Sequence, residues 1–159
     1  MLVGDPSSFA IMCEPVDSWS NERFKNGCFA FFIGGRLIWT LRSTLGVDIF
    51  ALEKLHCMGK DVEDVTLFDL PTVDAYTEIM RRAFPDMDSD AEDNDFTHLI
   101  SPESLLDEGY NVFLIESGTA AKLICGSDKE SLPGTFEFKL NRGEVQVVIR
   151  EAVARWKTI

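Results

Sequence analysis

Residues 27–41, GCFAFFIGGRLIWTL, constrain the fold more than any other stretch. If 28–33 is a strand, Cys28, Ala30 and Phe32 share one face and Phe29, Phe31 and Ile33 the other, because strand side chains alternate with period two. Both faces are apolar, which is the pattern of a strand covered on two sides rather than one half open to water. Gly34-Gly35 supplies the positive φ that a two-residue hairpin turn needs. Residues 36–41 then return, with Leu37, Trp39 and Leu41 on one face and Arg36, Ile38 and Thr40 on the other. The expectation is a hairpin at or near the centre of a core sheet, with Phe29, Phe31, Phe32 and Trp39 largely buried. An aromatic binding surface is the alternative use of the same residues. Nothing in the hairpin is reactive.

The flanking chain alternates between strand and helix signals. Residues 8–14 read as a short strand after the Gly4-Asp5-Pro6 turn, and 15–26 as a loop. Ser43-Thr44 is placed to cap a helix over 47–58, with Val47, Phe50, Ala51, Lys54, Leu55 and Met58 at helical spacing and Gly59 as its stop. Residues 61–70 read as loop, 72–84 as a second helix led by Pro71 and ended by Pro85. Ser101-Pro102 is set to start a short third helix to 107. Residues 110–116 and 120–126 form a second hairpin around Ser117-Gly118-Thr119, and 135–140 another strand. In 144–157 the stripe Val145, Val148, Ile149, Ala152, Val153 and Trp156 predicts a closing amphipathic helix. The sum is an α+β chain: one domain over residues 1–159, with a mainly antiparallel sheet of five or six strands and helices packed on it.

At 159 residues and 45% hydrophobic content the chain is long enough for one substantial core. The N-terminus lacks a basic and apolar leader pattern, and the longest apolar run is far below the roughly 20 residues of a membrane span. A cytoplasmic location is expected. Cys13, Cys28, Cys57 and Cys125 show no paired spacing, so reduced, structural cysteines are expected. The net charge is −12, and its distribution is uneven. Residues 61–108 hold 15 acids against Arg81 and Arg82, a local net of −13, while the rest is close to neutral. A field of that sign disfavours nucleic acid and anionic membrane and favours a basic protein partner.

Motifs for chemistry are lacking: there is no GxGxxG, P-loop, GxSxG or HExxH. His56 and Cys57 are neighbours on a helix, about 100° apart, and cannot pair with each other. His98 sits among apolar residues and reads as structural. Asp86-Met87-Asp88-Ser89-Asp90 begins like a calcium loop, but Ala91 stands where the sharp turn needs Gly and Thr97 where a bidentate Glu is needed. No catalytic residue, metal site or cofactor is expected.

Gly4-Asp5-Pro6 leading into Phe9-Ala10-Ile11, then Gly27 opening an aromatic strand, then Ile33-Gly34-Gly35 with its return strand, resemble in order and spacing the immunity proteins of bacterial polymorphic toxin systems, the family numbered forty-two. The resemblance covers about the first sixty residues, with Trp156 and the closing helix as a further likeness. It differs where the family's turn commonly carries Asn and this chain has Gly34. The resemblance implies a cytosolic antidote that binds and blocks one cognate toxin domain and supplies no catalytic residues. An acidic, non-catalytic binding or regulatory adaptor is the alternative, and an enzyme the third class; monomer and homodimer are both open. The residues expected to face the partner are Asp86, Asp88, Asp90, Glu92, Asp93 and Asp95, with Met87 and Phe96 as apolar anchors inside the acidic rim.

Overall fold

The computed structural model describes residues 1–88, 93–130 and 134–159. The described residues form two antiparallel sheets rather than one. The first has the order β1 (Leu2–Gly4), β2 (Phe9–Pro15), β3 (Asn26–Ile33) and β4 (Arg36–Thr44). The second has the order β5 (Tyr110–Ser117), β6 (Ala120–Ser127) and β7 (Phe136–Asn141). Between β4 and β5 run α1 (Leu45–Glu53), a 3₁₀ turn at His56–Met58, α2 (Val65–Asp69), α3 (Thr72–Ala83) and α4 (Glu103–Asp107). The chain closes with α5 (Glu144–Trp156). Each sheet grows by hairpins between consecutive strands. The five- or six-strand sheet expected from the sequence fails because no hairpin joins β4 to β5. The helical segment between them carries the chain to a second layer instead.

The layers have two cores. The inner face of the first sheet (Val3, Phe9, Ile11, Phe29, Phe31, Ile33, Ile38) meets one face of the second (Val112, Leu114, Leu123, Cys125), with α1 and α5 completing the packing. Phe31 is the pivot of an aromatic cluster, its ring 5.4 Å from Phe9 and 5.3 Å from Phe29. The opposite face of the second sheet (Phe113, Ile115, Ile124) is covered by Leu67 of α2 and Ala75, Ile79 and Ala83 of α3. So β5 and β6, not β3 and β4, are the strands buried on both faces. The free edge of β5 is also closed. The Glu116 amide donates to Val62 O and the Asp64 amide to Glu116 O, while the Ile100 amide donates to Val112 O and the Leu114 amide to His98 O.

Among the described residues no helix packs on the outer face of the first sheet. Leu37, Trp39 and Leu41 stand 44%, 45% and 47% exposed, and Phe32 is only half-buried, against the expectation of a covered hairpin. β3 is central in its sheet and β4 is its edge strand.

Three local readings are also corrected. α1 spans Leu45–Glu53 and buries Leu45, Ile49 and Leu52, leaving Val47 and Phe50 outside. That helix is apolar nearly all round, so spacing alone does not choose its face, and buried Asp48 in the chosen face is held by the Ser43 hydroxyl. Part of the 61–70 loop is α2, started by Asp64, whose carboxylate accepts from the Leu67 amide at 2.9 Å. Ser101 does not cap α4; its hydroxyl accepts from the Val112 amide of β5 at 2.8 Å.

Candidate functional site

The acidic run leaves α3 at its C-terminus. There the last carbonyls of a helix lack intrahelical partners. Two of them are satisfied from the far end of the run: Asn94 Nδ2 donates to Ala83 O at 2.8 Å and the Asp95 amide donates to Arg82 O at 2.9 Å. The Phe84 and Phe96 rings close the same junction, 5.7 Å apart. The returning limb of the run is therefore fixed to the same helix end that the departing limb leaves.

Of the residues singled out as partner-facing, Asp86, Met87 and Asp88 are exposed on the departing limb. Asp93, Asp95 and Phe96 are exposed on the returning limb. Asp90 and Glu92 lie outside the described residues, as does Ala91 of the calcium-loop comparison. Asp95 is the most engaged of them: its carboxylate accepts from the Thr97 hydroxyl at 2.6 Å and the Thr97 amide at 3.0 Å. Those two bonds hold its pKa below the ordinary carboxylate value.

Much of the acidic charge of residues 61–108 is met by cations. Glu78 binds Arg81 and Arg82 at 2.8 and 2.9 Å, which pulls its pKa down to about 2. Arg82 also reaches Asp64. Arg142, after β7, holds Asp61, Glu63 and Glu116 at 2.9, 3.1 and 2.9 Å. Glu108 is tied to Arg42 and Lys129. The local −13 thus overstates the field along α2, α3 and α4.

The returning limb forms one wall of an open cleft of about 800 Å³. Asn94, Asp95, Phe96 and Thr97 face Lys54, His56, Met58 and Lys60 from the segment after α1. Nothing in the sequence joins these two walls, some forty residues apart; only the packing of the α1 end beside the acidic run brings them together. The cleft can take a side chain with an apolar shaft and a charged or hydrogen-bonding tip.

Three of the cysteines and His98 are built into the interior. Cys13, Cys57 and Cys125 are free and buried, and burial pushes each thiol up to about 12, away from thiolate chemistry. His98 is buried, and its Nδ1 lies 2.8 Å from Leu114 O, which assigns the proton to that nitrogen. Burial also lowers its pKa. Among the described residues no three His, Cys, Asp or Glu side chains converge as a metal site would require, and no helix is long and apolar enough to cross a membrane.

Comparison with known proteins places this arrangement. The family model for Immunity protein 42 (Imm42) matches residues 1–155. The chain is similar to the protein in the crystal structure of CdiI from Burkholderia dolosa AUO158, with a TM-score of 0.92 and 53% sequence identity over 98% of this chain and 99% of that one. No curated protein matches it.

Proposed function

Because the chain belongs to the Immunity protein 42 family and so serves to neutralise a toxin, we propose that it does this as a single cytoplasmic domain that presents the acidic run at residues 86–96 to a basic cleft on the cognate toxin domain. It acts as a stoichiometric inhibitor and not through chemistry of its own. The observation that supports this reading most is the exposure of Asp86, Asp88, Asp93 and Asp95 on two limbs anchored at one helix end, with Phe96 beside them on the wall of a cleft. A half-exposed aromatic gives the apolar anchor that exposed charges lack.

A basic cleft of that kind suits a toxin that acts on nucleic acid, where lysines and arginines meet phosphates. The acidic run then competes for the surface the substrate needs. Exposed carboxylates raise the association rate and select the partner more than they add affinity, and their reach is about 8 Å at physiological salt.

The experiment is co-expression with the toxin domain encoded beside this chain, followed by stopped-flow association of the purified pair. Converting Asp88, Asp90, Glu92 and Asp93 to Asn or Gln should slow association about 10-fold at low salt, with the difference closing as salt rises. Phe96→Ala should raise the dissociation rate instead. An unchanged association rate at low salt with full protection of the host would remove the acidic run from the interface.

A further inference from the structure

The outer face of the four-stranded sheet is an apolar surface that the described residues leave uncovered. The register sets Leu2, Met12, Ala30 and Trp39 in one row across the strands and Gly4, Ala10, Phe32 and Leu37 in the next. Ala10 and Ala30 are fully buried without joining either core, so their larger neighbours on this face cover them. Among the described residues of these four strands, Glu14 is the one charged side chain on this side, and the Met1 ammonium holds it at 3.2 Å. We infer that this face is the interface of a symmetric homodimer, with the sheets of two copies packed face to face around Trp39.

Charge and area choose a second copy as the occupant. The face is apolar and close to neutral, so it complements itself. α3, with Asp74 and Glu78, packs behind the second sheet, on the far side of both cores from this face. Layers stack about 10 Å apart, so face-to-face pairing puts the two acidic layers at opposite ends of the dimer, several Debye lengths from one another. A basic toxin gains nothing electrostatic from this face. Strands of 3, 7, 8 and 9 residues, at about 3.4 Å per residue and about 4.8 Å apart, give a face of order 400 Å² in projection. That suits the apolar centre of an interface burying about 800 Å² per partner, and it reaches the size at which exposed patches on monomers mark interaction sites. The two-fold operation sets Trp39 of each copy near Leu37 and Phe32 of the other, a central aromatic in an apolar surround.

Sedimentation equilibrium on the full chain tests this. The expected result is a species of twice the 17.9 kDa chain mass at micromolar concentration, unchanged or strengthened in high salt because the apolar contact is insensitive to screening. Trp39→Lys and Leu37→Lys should each weaken dimerisation at least about 100-fold. Hydrogen exchange of the unaltered chain gives a second readout that does not depend on a variant folding: amides of β3 and β4 should slow as concentration rises. A monomer at all concentrations overturns the proposal, and so does a dimer that survives both lysine variants. Loss of toxin binding in those variants, with the free chain monomeric, would instead give the face to the toxin.

Discussion

The two hairpins, β3–β4 and β5–β6, read almost alike in sequence and end in opposite surroundings. Both are rich in Phe, Ile and Leu, and both alternate apolar residues onto two faces. In β5–β6 the two sets enter two cores: Val112, Leu114, Leu123 and Cys125 face the first sheet, while Phe113, Ile115 and Ile124 face α2 and α3. In β3–β4 one set (Phe29, Phe31, Ile33, Ile38) is buried and the other (Phe32, Leu37, Trp39, Leu41) stands half in water. The difference lies in the rest of the chain. α1 turns inward directly after β4, and α2 and α3 pack behind the second sheet, so among the described residues no element remains for the outer face of the first. An apolar strand face states a need for cover without saying that the same chain meets it. In an inhibitor, the unmet need marks a surface for assembly.

Truncating one aromatic in each hairpin tests this contrast most severely. Phe113→Ala removes a fully buried ring that sits 6.1 Å from Tyr76, and should cost about 3–5 kcal/mol. Phe31→Ala, at the aromatic cluster of the first core, should cost the same. Trp39→Ala, though it deletes more atoms, should cost less than about 1 kcal/mol in the monomer, because its ring already meets water. Urea denaturation at low protein concentration would measure all three. A Trp39 cost near that of Phe113 would mean that the outer face is packed.

This contrast also shows what could be read from the sequence. Strand and helix types were largely legible, because the alternation of 110–126 and the α5 stripe over Val145, Val148, Ile149, Ala152 and Val153 are short-range signals. The division into two sheets was not, since it depends on which strand a returning segment reaches. Trp39 read as core for the same reason: period two separates faces without ranking them. In α1, Val47 and Phe50 compete with Leu45, Ile49 and Leu52 on nearly equal terms, and the choice falls to the sheet below. At the candidate site, the acid run itself was plain from its composition. Its opposite wall, Lys54 to Lys60, was invisible, as was the drain of its neighbours' charge into Arg142.

The two hairpin turns sharpen the comparison at a smaller scale. Gly34 and Gly118 have nearly the same left-handed φ, +56° and +58°. A Cβ on Gly118 would meet nothing within 4 Å, whereas one on Gly34 would stand 2.5 Å from Cδ2 of Phe138 on β7. The first-sheet turn is also pinned, with the Gly34 amide on Ser8 O at 2.8 Å and the Gly35 amide on Pro6 O at 2.9 Å. Gly118→Ala should therefore cost about 1 kcal/mol from backbone strain alone, and Gly34→Ala about 2–3 kcal/mol, with Phe138 forced aside. Asn, which tolerates positive φ, should rescue much of the strain at Gly118 and little of the loss at Gly34. Equal losses at both turns would show that Phe138 yields freely and that the junction between the sheets is loose there.

The smallest effect, a pH dependence, should come from the second sheet alone. His98 donates Nδ1–H to Leu114 O of β5, and burial lowers its pKa below the ordinary 6.5. Desolvation is the largest influence; the hydrogen bond to Leu114 O, then Asp64 and Asp95, oppose that shift, and Arg82 assists it. A histidine with a lowered folded pKa leaves stability intact above the unfolded value and loses it as pH falls through 6.5 toward the folded one, because the unfolded chain then binds the proton more readily. Carboxylates such as Asp95 and Glu78, whose pKa values are lowered, stay ionised over that window and do not confuse it. The net charge of −12 works the other way, since partial protonation relieves self-repulsion, so the His98 contribution has to be isolated as a difference. Comparing the parent with His98→Gln, which keeps a donor for Leu114 O and cannot titrate, does so. Between about pH 7.5 and pH 5.5 the parent should lose stability relative to the variant, with hydrogen exchange quickening first at β5 and not at β3. Parallel pH profiles for the two would show that His98 titrates as it does in the unfolded chain, and that β5 is less well sealed than its two covered faces and closed edge imply.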